Sequence, residues 1–153
     1  MKTEMYLLDT NHCSLLIEGN AGLQEKMRQN AGAFVATCIF VEAELLFMAY
    51  NSQQQEANLV RVQAFLNAIR VYGADQQAAR FFARLKADFL ARYGPKEKSK
   101  RRRTRIEQLG VGENDLWIAA IALRHGPTVV SIDSDFLRFQ SVTPFLLEDW
   151  SLG

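Results

Sequence analysis

Short apolar runs alternate with stretches of helical character along this chain. Met5, Tyr6, Leu7 and Leu8 form a run that stops at Asp9, the pattern of a strand buried on both faces. Phe34 to Thr37 repeats it, as do Ile69 to Tyr72 and Thr128 to Ile132, the last ending at Asp133. Phe145 to Leu147 is a candidate fifth strand. Helix formers fill the intervals Leu23 to Asn30 (closed by Gly32), Glu42 to Tyr50 and Glu56 to Ala68. Asp75 suits the N-cap of a further helix, whose apolar stripe runs Ala78, Phe81, Phe82, Leu85 and Phe89. Gly94 and Pro95 stop it. Asn114, a capping candidate, precedes a strongly apolar helix from Asp115 to His125, closed by Gly126 and Pro127. Buried strands alternating with helices predict an α/β fold with a mostly parallel sheet covered on both faces.

Composition narrows this little. The 153 residues fit one domain, 1–153, and 48% of them are hydrophobic, which supports a packed core. Charge placement says more. Between Lys96 and Arg105 stand seven basic side chains against the single acid Glu97, a local balance of +6 in a chain whose formal net charge is +1. A basic segment of this kind, spanning about 95–111, suits a polyanionic partner and equally suits a solvated loop. Cys13 and Cys38 have no metal-type spacing and read as ordinary buried thiols. With no signal peptide and no long apolar run, the chain is expected to be soluble and cytoplasmic.

The candidate chemistry lies in the acids. Asp9 ends the first strand and Asp133 the fourth, and open α/β sheets bind ligands beyond the carboxyl ends of their strands. Asp115 opens an apolar helix, with small Ala119 one turn further on the same face. Glu44 lies on the helix after the second strand. Carboxylates brought together raise one another's pKa unless a cation compensates, and hard oxygen ligands favour Mg²⁺ or Mn²⁺. Such an ion activates water and offsets charge building on a phosphate. Spacing alone leaves the alternative open that these acids are helix caps and solvated strand ends.

The motifs, taken in order, resemble those of PIN domains. Leu7, Leu8, Asp9, Thr10 and Asn11 resemble the opening motif, and Glu44, Leu45, Leu46 and Phe47 the second. The stretch from Gly112 to Ala120 resembles the third, in which an acid precedes an Ile-Ala-Ala stretch. Val129 to Phe136 resembles the fourth, and Glu148, Asp149 and Trp150 the usual chain end. The resemblance implies a PIN-like three-layer α/β/α sandwich. The size favours the VapC toxin branch, which implies a metal-dependent endoribonuclease acting on tRNA or other structured RNA. It also implies a cognate antitoxin and a homodimer.

Carried over residue by residue, the resemblance makes Asp9 and Asp115 central ligands of Mg²⁺ or Mn²⁺, Glu44 the third acid and Asp133 the fourth. Glu42 competes with Glu44, but the two face nearly opposite ways on a helix. Asp135 competes with Asp133, and the residue nearer the strand end is preferred. Thr10 and Asn11 either orient Asp9 or form a turn that opens a helix. Two features depart from the family: Met48 stands where a small residue is usual, and the connection after Pro95 is long and basic. Lys98, Lys100, Arg101, Arg102, Arg103 and Arg105 are candidates to grip RNA phosphates; a flexible loop or an antitoxin contact is the alternative. His12 and His125 are not paired for catalysis, and Trp117 and Trp150 read as packing residues. A phosphatase of the haloacid-dehalogenase type would need an acid where Asn11 stands, and no early acidic pair of a receiver domain is present. The remaining rival is an inactive PIN domain serving as an RNA- or protein-binding scaffold.

Overall fold

A computed structural model of the chain describes residues 3–151. Its five strands are β1 (Met5–Leu8), β2 (Phe34–Cys38), β3 (Arg70–Tyr72), β4 (Thr128–Val130) and β5 (Leu147–Glu148). They form one sheet in the order β3-β2-β1-β4-β5, with every neighbouring pair parallel. The central strand β1 aligns Leu7 with Ala36 on one side and Val129 on the other. Leu7, Leu8, Ala36, Val129 and Val130 are all fully buried, which is why these runs do not alternate with polar residues.

The helices are α1 (Thr10–Ile17), α2 (Ala21–Gln29), α3 (Ile39–Tyr50), α4 (Gln55–Asn67), α5 (Gln76–Tyr93), α6 (Lys98–Arg101), α7 (Glu113–His125) and α8 (Asp135–Val142), with a 3₁₀ turn over Ile106–Leu109. Helix α7 is the hub. Leu116, Ile118, Ala119, Ala120 and Ile121 are buried along it, and the small alanines let neighbours approach closely. Leu85 and Phe89 of α5 and Phe136 and Phe139 of α8 fill the adjoining core. Asp75 caps α5 as expected, its side chain accepting a bond from the Ala78 amide.

Several boundaries differ from expectation. Helix α1 starts directly after Asp9, which caps it, so of the two roles open to Thr10 and Asn11 they take the helix-opening turn. Helix α7 begins at Glu113 with Gly112 as its cap residue. Asn114 is therefore inside the first turn and caps nothing. Strand β4 stops at Val130, since Ser131 turns its hydroxyl to the Asp133 amide, and Ile132 points outward. Strand β5 sits later than Phe145. Helix α8 had no clear sequence signal. In the α5 stripe, Phe81 is 39% exposed, and α5 packs through Ala78, Phe82, Leu85 and Phe89. Met48 is exposed on α3, so its bulk needs no room in the core.

The basic segment is partly ordered. Buried Ile106 and Val111 pin its far end to the body. Arg101 closes its near end, donating from Nη1 to the Lys96 carbonyl at 3.1 Å. Both cysteines are free and buried, and burial pushes the Cys38 thiol up to about 11 and Cys13 higher still, which leaves them unreactive.

Candidate metal centre

Asp9 leaves β1 in extended conformation, so its carboxylate turns back over the start of α1. Its Oδ1 accepts from the His12 amide and lies 2.9 Å from Nδ1 of the His12 ring. His12 is fully buried, and among the described residues its Nε2 has no hydrogen-bond partner, lying 3.7 Å from Asp149 Oδ1. One Asp9 oxygen is thus held by two groups of the same helix turn. Though unpaired for catalysis, His12 orients the first acid, a role signalled by its place three residues after a capping Asp.

Asp115 sits in the first turn of α7. Burial raises its pKa most, followed by the charges of Asp133, Glu44, Asp135 and Asp9, and together they bring it to about 7. The charges of Asp133, Glu44 and Asp9 thus all reach Asp115, although among the described residues only Asp133 of these three joins it in a close carboxylate group. Glu42 is not among the groups that press on Asp115, in keeping with its opposite helix face. Glu44 also accepts a 2.8 Å bond from Asn114 Nδ2, which ties α3 to the first turn of α7. That contact gives Asn114 a function that capping did not.

Asp133 and Asp135 turn out to be companions, not alternatives. Oxygens of Asp115, Asp133 and Asp135 all lie within 4.8 Å of one another. The reason is local: Asp133 Oδ1 accepts from the Asp135 amide at 2.9 Å, and this bond starts α8 and swings Asp135 inward. Burial and then Asp133 raise the Asp135 pKa, and Arg138 lowers it. Among the described residues, Arg138 makes the one ion pair between these acids and an Arg or Lys, at 4.0 Å. An under-compensated set of half-buried carboxylates is the donor chemistry of a hard divalent cation, and the residues present fit one.

The basic segment forms a groove with α5 and the start of α7, lined by Lys86, Arg102, Arg103, Arg105 and Glu113. Lys98, Lys100, Arg102, Arg103 and Arg105 are exposed, whereas Arg101 is half-buried. His125 lies at the far end of α7, stacked on Tyr72 at 4.2 Å. Trp117 is stacked between Phe40 and Phe82, and Trp150 packs edge-on against Tyr6. Both tryptophans serve packing.

A parallel sheet in this order, with acids gathered beyond the ends of its two central strands, defines a PIN-type nuclease fold. The PIN domain family profile matches residues 6–141, and the chain belongs to that family. Within it, the chain is similar to Ribonuclease VapC2 of Haemophilus influenzae, with 30% identity over 146 residues that cover 95% of this chain and 97% of that one. It is 29% identical to the tRNA(fMet)-specific endonuclease VapC of Shigella flexneri, over 95% of this chain and 98% of the other. Among solved structures, DNA-bound VapBC from Salmonella typhimurium superposes with a TM-score of 0.76 at 25% identity, covering 97% of this chain and 99% of that chain. No helix among the described residues is long and apolar enough to cross a membrane.

Proposed function

We propose that this protein is a metal-dependent endoribonuclease of the VapC type, the toxin of a toxin–antitoxin pair. The observation that carries the reading is Asp115. Its carboxylate is raised to about 7 by burial and by the charges of four nearby acids, a cost that a bound divalent cation would offset. Asp9, Glu44, Asp115 and Asp133 would hold Mg²⁺ or Mn²⁺, with Asp135 as a fifth acid. When bound, the ion supplies an activated water and charge stabilisation at phosphorus. The protein's own groups prepare the place: His12 fixes Asp9, Asn114 fixes Glu44, and Ser131 holds the turn that presents Asp133.

Lys98, Lys100, Arg102, Arg103 and Arg105 supply phosphate contacts that position RNA without reading its sequence, and Arg101, bonded to the Lys96 carbonyl, holds their segment in place. The relatives named as tRNA(fMet)-specific endonucleases support tRNA as the first substrate to try. Solved neighbours are toxin–antitoxin complexes, which supports an antitoxin as protein partner, and we carry over a homodimer from the same resemblance. The test is incubation of the purified chain with bulk bacterial tRNA and Mn²⁺. Discrete cleavage that EDTA stops and that Asp115→Asn lacks is expected. Intact tRNA under those conditions would favour a scaffold that binds without cutting.

A further inference from the structure

Arg138 projects from α8 one turn beyond Asp135. Its guanidinium carbon lies 4.8 Å from the ring centre of Tyr93 and 5.0 Å from that of Phe89, both in the last turns of α5. Two aromatic rings thus fix the pose of a side chain that would otherwise be flexible. Its Nη1 is 4.0 Å from Asp135 Oδ1, too long for a hydrogen bond. Among the described residues no acceptor takes a hydrogen bond from the guanidinium, so its five N–H donors are unspent. A Cβ placed on Gly110 would come 3.7 Å from Nη1, which puts the head where the basic segment rejoins the body. The cation therefore stands between the acid cluster and the proposed RNA arm.

An ion pair at this distance adds little to stability and does not account for so well held a head. We propose that Arg138 is a phosphate-binding residue of the cutting centre, which donates its fork to non-bridging oxygens of the phosphodiester being cleaved. The proposal rests on the reading of the acids as a nuclease metal centre. In hydrolysis a water oxygen forms the new bond to phosphorus, the bond to one ribose oxygen breaks, and that oxygen leaves with the proton the water gives up. Charge on the phosphoryl oxygens must be met throughout. A guanidinium already in place meets it without rearranging, and its planar fork matches two oxygens at once. The Phe89 and Tyr93 rings keep the head from swinging away before RNA arrives.

Arg138→Gln tests this in the full chain. The readout is single-turnover cleavage of bulk tRNA at saturating RNA, with half-saturation by Mn²⁺ and the melting temperature measured beside it. The expected result is a roughly 100- to 1,000-fold slower cut, the scale of losing one preorganised donor. Half-saturation by Mn²⁺ should stay within threefold. A rate within threefold of wild type in the folded variant overturns the proposal, and so does a loss that follows Mn²⁺ affinity instead. If Arg138→Gln fails to fold, Arg138→Lys replaces it: a loss of at least tenfold supports the fork, and a full rate overturns it. Wild-type protein that binds no Mn²⁺, or an Asp115→Asn variant that still cuts, overturns the metal-centre reading itself and Arg138's role with it.

Discussion

Two regions of the molecule gather carboxylates. Around Tyr6, Glu4 and Glu148 lie at the surface, and the Tyr6 hydroxyl donates to Glu4 at 2.7 Å. The strain there falls on the phenol, whose pKa is pushed up to about 12 by that bond, by burial and by Glu148. Around Asp115 the acids themselves are buried or half-buried, and the strain falls on a carboxylate. Acids near a sheet are common; acids that lose water together are not. What separates a candidate site from a solvated edge is the desolvation of several like charges at one point.

The largest effect expected follows from breaking the strained region. Asp9→Asn and Asp115→Asn should each lower cleavage at least 1,000-fold while circular dichroism shows an intact fold, whereas Glu148→Gln should leave the rate within twofold. Full activity in a folded Asp115→Asn protein would sink the metal-centre reading.

Next comes pH. The unfolded Asp115 titrates near 3.9, and the folded one near 7. Between those values the native state keeps a proton that the unfolded state has released, so stability of the metal-free protein falls as pH rises from about 4 to about 7 and is level above that. After a discount for partial solvent contact, the loss is about 1–2 kcal/mol, or roughly 2–8 °C in melting temperature. Asp115→Asn should remove this fall, and added Mn²⁺ should stabilise the wild type more at pH 8 than at pH 5. Identical pH profiles for wild type and variant in scanning calorimetry would show that Asp115 is not strained.

A smaller contrast lies within the cluster. Glu44→Gln should slow cleavage about 10- to 100-fold, and Glu42→Gln less than threefold, since Glu42 does not press on Asp115. Asp133→Asn should cost more than Asp135→Asn, because Asp133 both joins the cluster and starts α8. The gap should nonetheless be modest, as both carboxylates reach Asp115. Single-turnover rates of the four variants settle the ranking.

The parts of this arrangement that depend on short-range pattern were readable from the sequence. The runs before Asp9 and Asp133 are buried strands because parallel pairing covers both faces, and that signature is local. Helical period separates Glu42 from Glu44 but does not choose between them; the choice of Glu44 rests on Leu45 after it, as in the family's second motif. Arg138 and Asn114 were not readable, because each acts across elements far apart in sequence. Asp135 was weighed as a rival of Asp133 because strand logic separates the two. The strand instead ends at Val130, and the Asp133 carboxylate accepts from the Asp135 amide where α8 begins, which brings both to one place. Asn114 is a good cap by type, yet its amide is drawn sideways to Glu44 and α7 starts one residue earlier, at Glu113.

The smallest effect expected concerns the basic arm. If Arg101, Arg102 and Arg103 all met phosphates, changing them to Ala would flatten the salt dependence of RNA binding by about 2 units, at about 0.7 per contact on single strands. Their surroundings differ, however. Arg101 is half-buried and spends its guanidinium on the carbonyls of Pro95 and Lys96, closing the segment on itself. Arg102 and Arg103 are exposed on the groove beside Lys86 and Glu113. The paired change Arg102→Ala with Arg103→Ala should therefore account for nearly the whole effect, about 1.4 units, with cleavage at saturating RNA retained. Arg101→Ala alone should barely change the slope, but it should lower affinity by loosening the arm. Titrations of bulk tRNA at several salt concentrations, on Asp115→Asn protein so that nothing is cut, measure both. A slope unchanged in the paired variant, together with weaker antitoxin binding, would assign the arm to the protein partner. An equal slope change from Arg101→Ala would mean that its bonds to the Lys96 turn open when RNA binds.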